Sequence, residues 1–189
     1  MSEHKGIIAV ISGPSGVGKS TICRKIAGKL NAYLSVSVTT RPKSDLEEDG
    51  KDYWFLTRDE FQKQIEDGNL LEYADVFDNL YGTPKDKTDE ALKAGKTVIL
   101  EIDVQGGKQV KRIYPDTTMI FILPPTHEEL SQRLDGRGRD KAEAAGKRLG
   151  CAGTEIAAAW QDYENMVIND KLEQAVDEIL EIIKNKIGE

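Results

Sequence analysis

Apolar residues fall along this chain in two spacings. Four short runs, Ile7 to Ile11, Val98 to Ile102, Met119 to Leu123 and the weaker Met166 to Ile168, are nearly continuous. Runs of this length without alternation predict strands covered on both faces, the pattern of a parallel sheet. Other stretches have helical spacing, clearest at Ile22, Ile26 and Leu30 and at Leu172, Val176, Ile179, Ile183 and Ile187. Strand alternating with helix predicts an α/β core with these stripes packed on the sheet.

Two segments break the alternation. From about Leu34 to Phe77, Leu34, Val36 and Val38 alternate with polar residues, and Tyr53, Trp54 and Phe55 follow an acidic stretch from Asp45 to Gly50. This predicts a small inserted β-rich lobe. Within it, Thr57 to Glu60 is a capping box that opens a helix and Gly68 closes it. Thr83 and Pro84 read as N-cap and first residue of a further helix ending at Gly95. The second segment, about Arg133 to Tyr163, carries Arg133, Arg137, Arg139, Lys147 and Arg148 among Gly136, Gly138, Gly146, Gly150 and Gly153. Glycine costs a helix about 1 kcal/mol relative to alanine, so this stretch is expected to deform easily, as a basic flap.

Composition narrows the picture. With 39% hydrophobic and 31% charged residues among 189, the chain has the profile of one globular domain, which excludes disorder as its main state. Lys and Arg number 26 against 33 Asp and Glu, a net charge of −7, the wrong sign for a nucleic-acid backbone binder. An anionic ligand must therefore meet a local cluster of cations and N–H groups. The two cysteines, Cys23 and Cys151, have no metal-ligand or C-x-x-C spacing, which fits a reducing, cytoplasmic setting. The first apolar run is too short for a signal peptide core or a membrane span.

Gly13-Pro14-Ser15-Gly16-Val17-Gly18-Lys19-Ser20 matches G-x-x-x-x-G-K-[ST] between a strand and an apolar-periodic helix that opens with Thr21. Glycines let consecutive N–H groups point inward, and the helix adds its positive end, so the loop suits a di- or triphosphate. Lys19 would neutralise β and γ oxygens, and the Ser20 hydroxyl would ligate Mg²⁺ that bridges the phosphates. Glu101 and Asp103, two apart at the carboxyl edge of the second core strand, are placed to hold Mg²⁺ waters or a second substrate.

Several strings together resemble the guanylate kinase family: Ser35 to Arg41, Gly50 to Tyr53, Leu71 to Ala74, Tyr81 to Thr83, Glu101 to Gly106, Ile122 to Pro125, Gly136 to Gly138 and Val167 to Asp170. With the phosphate loop, the likeness runs from about Gly6 to the C-terminal helix. It implies an α/β fold with a P-loop NTPase-type parallel-sheet core flanked by helices (1–33, 84–132 and 164–189), an inserted nucleoside-monophosphate-binding lobe (34–83) and a helical lid (133–163). The implied activity is transfer of the γ-phosphoryl group of ATP to GMP, and to dGMP, giving ADP and GDP with Mg²⁺. The resemblance puts Ser37, Glu72, Thr83 and Asp103 around guanine and Arg41, Tyr53 and Tyr81 on the GMP phosphate. It puts Arg133, Arg137 and Arg148 on the transferring phosphates and Asn169 near the adenine. It implies small-molecule substrates, with no nucleic acid, membrane or obligate protein partner.

Chemistry supports several of these roles. Guanine presents N1–H and a 2-amino group side by side, a donor pair that one carboxylate such as Glu72 accepts bidentately, whereas adenine would leave it unpaired. The GMP phosphate, with a second pKa of about 6, is already largely dianionic at neutral pH, so no general base is needed. His4 and His127 accordingly lie outside every motif, the latter in a capping box from Thr126 to Glu129. Catalysis would rest on Lys19, Mg²⁺, Arg41, Arg137 and Arg148. One departure stands out: Ser44 occupies the place of the family's second phosphate-binding arginine, beside Lys43, so the acceptor clamp is expected to be looser. Glu47 to Asp49 could steer Mg²⁺, but read more simply as a solvated loop. The alternatives are a non-catalytic guanylate-kinase-like binding module, which typically loses the loop residues present here, and a kinase for another phosphorylated acceptor.

Overall fold

The computed structural model describes residues 6–135 and 142–188, without the side chains of 134–135 and 142–149. In chain order, β1 (Ile8–Ser12) leads into α1 (Lys19–Leu30) and β2 (Tyr33–Leu34). An insert follows, with β3 (Val38–Thr39), β4 (Trp54–Phe55), α2 (Arg58–Glu66), β5 (Leu70–Val76) and β6 (Asn79–Pro84). The chain returns through α3 (Lys85–Lys93), β7 (Val98–Glu101), α4 (Val104–Ile113), β8 (Thr118–Leu123), α5 (His127–Asp135), α6 (Ala142–Asp162), β9 (Asn165–Ile168) and α7 (Leu172–Ile187).

All four apolar runs form strands of one parallel sheet, ordered β2-β7-β1-β8-β9. The absence of alternation has its cause in two cores. Ala9, Ile11, Ile99, Ile120 and Ile122 point to one side, against Ile22 and Ile26 of α1 and Val176, Ile179 and Ile183 of α7. Ile8, Val10, Val98, Leu100, Met119 and Phe121 point to the other, against Ala91, Val110, Ala159 and Tyr163. Each fully buried aliphatic side chain contributes roughly 1.5–3 kcal/mol, which favours runs that are apolar on both faces.

The insert is a second sheet, ordered β4-β3-β6-β5, in which β5 and β6 form an antiparallel hairpin. The predicted alternation from Leu34 to Val38 is split between the two sheets: Leu34 pairs with Ile99 in the core, Val38 with Gly82 and Trp54 in the insert. Thr57 and Glu60 cap α2 reciprocally, as expected. Thr83 does not cap α3. Pro84 holds the N-cap position without a side-chain bond, and Thr83 remains in β6 with its hydroxyl committed to Glu72.

The glycine-rich segment is helical over its described part. Gly136, Arg137, Gly138 and Arg139 lie outside the described residues, but Gly146, Gly150 and Gly153 sit within one unbroken helix, α6. Burial of Ala152 and Ala159, with Tyr163 just beyond, offsets the glycine penalty. Tyr163 also donates to the buried Ser12 hydroxyl at 2.6 Å, which itself donates to Ile102 O at 2.7 Å, fixing the end of α6 to the end of β1.

Candidate active site

β1 ends where the loop begins. Gly13 has φ 154°, and a Cβ there would meet the carbonyl of Ile122 at 2.6 Å. Gly18, with φ 102°, occupies the N-cap of α1 in a left-handed conformation and abuts the Asn169 amide. Both positions therefore require glycine. Pro14, Gly16 and Val17 are buried and Ser15 is half-buried, so the loop is rigidly seated, with Thr21 exposed on the first turn of α1. Lys19 folds back over the loop, donating from Nζ to Gly13 O at 2.6 Å and Pro14 O at 3.1 Å.

The two carboxylates at the end of β7 have separate roles. Glu101 accepts the Ser20 hydroxyl at 2.6 Å. Asp103 turns away to cap α4, accepting from Gly106 N at 2.8 Å and from Gln105 Nε2 at 3.1 Å. Ser20 and Glu101 offer hard oxygen donors of the type that suits Mg²⁺. No group of three or more His, Cys, Asp or Glu among the described residues is arranged to hold a metal ion. A cation here would accordingly depend on ligand oxygens as well as on the protein.

Across the cleft, β5 and β6 bring Glu72 and Thr83 side by side. Glu72, only 4% exposed, accepts the Thr83 hydroxyl at 2.6 Å through Oε1. Its other oxygen lies against Gly106 in the first turn of α4, where any Cβ would displace it. Burial, and then the charge of Asp103, pushes the Glu72 carboxyl up to about 7, against the lowering effect of Thr83. Gln109, one turn further along α4, clasps the backbone next to Glu72, donating to Tyr73 O at 2.7 Å and accepting from Tyr73 N at 3.3 Å. Ser37 lies between β2 and β3, its carbonyl accepting from Trp54 N at 2.9 Å.

A second cluster lies nearer the phosphate loop. The Tyr53 and Tyr81 rings meet edge to face at 5.9 Å, and the Arg41 guanidinium sits 5.4 Å from the Tyr53 ring. Burial, then the charge of Glu101, raises the Tyr53 phenol above its usual range. Glu47 is not the solvated loop residue expected from sequence. It forms a two-pronged pair with Arg41 at 2.7 and 3.1 Å, and that bond holds its carboxyl at about 2. Ser44 contributes its backbone N–H to Glu47 at 3.0 Å, while Lys43 is exposed.

On the outer side of the loop, Gly16, Gly18, Thr21, Arg133, Asn169 and Leu172 line an open cleft of about 500 Å³. Asn169 donates to Val17 O at 2.7 Å, and Arg133 donates to Asn169 O at 3.1 Å and to Glu129 at 2.9 Å. Arg137 lies outside the described residues; Arg148 lies on α6, its side chain outside them. Glu155, also on α6, is raised by burial, with Lys19 lowering it and Asp103 raising it. Sequence reasoning passed over Gly106, Gln109 and Glu155, and read Glu47 as solvated. Only Gly106 lay within a recognised string, and nothing in the spacing of the other three marks them.

A phosphate loop feeding a parallel sheet, faced by an inserted lobe with a buried carboxylate, defines a P-loop nucleoside-monophosphate kinase. The family model described as guanylate kinase matches residues 5–186. A guanylate kinase of Carboxydothermus hydrogenoformans is 48% identical over 93% of this chain and 86% of its own, and one of Clostridioides difficile 43% over 100% and 93%. The crystal structure of guanylate kinase from Anaplasma phagocytophilum superposes with a TM-score of 0.83 at 33% identity, covering 98% of this chain and 88% of that one. The chain belongs to the guanylate kinase family, the ATP:GMP phosphotransferases.

Proposed function

We propose that the chain transfers the γ-phosphoryl group of ATP to GMP, and to dGMP, with its residues divided between three parts. The loop from Gly13 to Thr21 grips the ATP phosphates, Lys19 exchanging its bonds to Gly13 O and Pro14 O for β and γ oxygens. Asn169 and Arg133 border the cleft where the adenosine end would rest. Ser20, with Glu101 beside it, would hold a Mg²⁺, which when bound supplies charge neutralisation on the phosphates.

In the lobe (34–83), Glu72, Thr83 and Ser37, with Asp103 from the core, would receive guanine, and Arg41, Tyr53 and Tyr81 its phosphate. The single observation carrying this reading is the Glu72 carboxylate, buried with one oxygen tied to Thr83 and the other facing Gly106. A ligand with adjacent donors is suited to such a group. The acceptor oxygen attacks as a dianion, without a base, once both nucleotides are aligned in line. Arg137 and Arg148 of the lid (133–163) would complete charge stabilisation after both nucleotides bind, limiting water attack on ATP. Free thiols at Cys23 and Cys151 support a cytoplasmic setting.

The test is ADP release measured with GMP, dGMP, AMP, UMP and CMP as acceptors. Turnover is expected with the two guanine nucleotides, and equal use of AMP would overturn the guanine assignment.

A further inference from the structure

Arg41 and Glu47 form the least exposed ion pair among the described residues, their side chains retaining 26% and 10% of their surface. Glu47 Oε1 accepts from Arg41 Nη2 at 2.7 Å and Oε2 from Nη1 at 3.1 Å. The second Nη1 hydrogen goes to Pro42 O at 2.9 Å. Glu47 is itself anchored by Ser44 N at 3.0 Å, and the rings of Tyr53 and Phe55 lie 5.4 and 5.8 Å from the guanidinium carbon.

A guanidinium has five N–H groups in one plane. Glu47 and Pro42 use three of them. Neither of them engages Nε–H and the second Nη2–H, a side-on fork that matches two oxygens of one phosphate, and the Tyr81 hydroxyl, itself assigned to that phosphate, also interacts with this guanidinium. We infer that Glu47 is a positioning residue, holding Arg41 by its end-on fork so that the side-on fork faces the acceptor phosphate. This rests on the proposed role of Arg41 toward GMP. Ser44, which stands where the family has a second arginine, steadies the clamp through its backbone N–H to Glu47.

Charge alone predicts the opposite sign. A carboxylate beside a phosphate site repels the ligand, so if Glu47 were only a nearby charge its removal would tighten GMP binding. Glu47→Gln and Arg41→Gln are therefore compared, alone and together, for kcat, for KM of GMP and ATP, and for inhibition by guanosine, which has the base but no phosphate. Glu47→Gln is expected to raise GMP KM about tenfold through misalignment of the clamp. ATP KM and guanosine inhibition should stay within about twofold, and the change should add nothing once Arg41 is replaced. An unchanged or lower GMP KM in Glu47→Gln overturns the inference, as does a parallel loss of guanosine inhibition, which would mark a lobe that folds badly. If Arg41→Gln itself leaves GMP KM unaltered, the phosphate role of Arg41 falls and the inference with it, so the two failures are told apart.

Discussion

In the core, the anion site is a main-chain device: a loop between β1 and α1 whose glycines sit at φ 154°, 87° and 102°, closed over by one lysine. In the insert, the acceptor site is a side-chain device. Its strands β3 and β4 have two residues each, too few for a ladder to fix geometry alone, so Thr83 braces Glu72 and Glu47 braces Arg41. A main-chain site is written in a contiguous motif and carried by the parallel sheet. A side-chain site is assembled from residues far apart in sequence, and its precision depends on buried polar bonds being complete.

Breaking the core device should have the largest effect. Lys19→Ala is expected to lower kcat at least about a hundredfold, with a near-normal circular dichroism spectrum, because it removes charge and not a packed group. Wild-type turnover in that variant would remove the loop from the mechanism.

Glu72→Gln tests the lobe, with an expected loss of about a hundredfold in kcat/KM for GMP. It also carries a pH signature. Burial raises the folded Glu72 pKa from 4.5 to about 7, so the folded chain retains a proton that the unfolded chain releases. Stability of the nucleotide-free protein should fall as pH rises from about 4.5 through about 7, and Glu72→Gln should flatten this slope. Guanosine binding should move oppositely, strengthening as the carboxylate ionises. Denaturation and calorimetry at pH 5 and 8 check both signs, and guanosine avoids the phosphate's own titration.

The smallest effect concerns α6. A Cβ at Gly150 or Gly153 would meet nothing within 4 Å, as at Gly28 in α1. Alanine at each should stabilise the chain by about 1 kcal/mol, read from urea midpoints. Gly28→Ala giving that gain while Gly153→Ala gives none would mean that this part of α6 adds little to the folded state.

The core was legible because periodicity and a contiguous motif both report local facts: runs buried on two faces, and glycines at the strand-to-helix turn. The capping box of α2 was legible for the same reason. Val38 lies in the insert as expected, but Leu34 was assigned there and pairs in the core, because alternation says that one face is covered, not which sheet covers it. Thr83 was read as a helix cap because its partner, Glu72, lies eleven residues earlier and only the β5–β6 register joins them. Glu47 looked solvated because a carboxylate in an acidic loop carries no sign of the arginine folding onto it.

Gln109 has one further consequence. β5 is the outermost strand of its sheet, and the unused backbone groups of such a rim can template pairing with another molecule. At Tyr73 both the N–H and the C=O are occupied by one carboxamide from α4, which stands in for a missing neighbour. The same side chain that steadies the backbone beside Glu72 thus closes a rung that could otherwise seed aggregation.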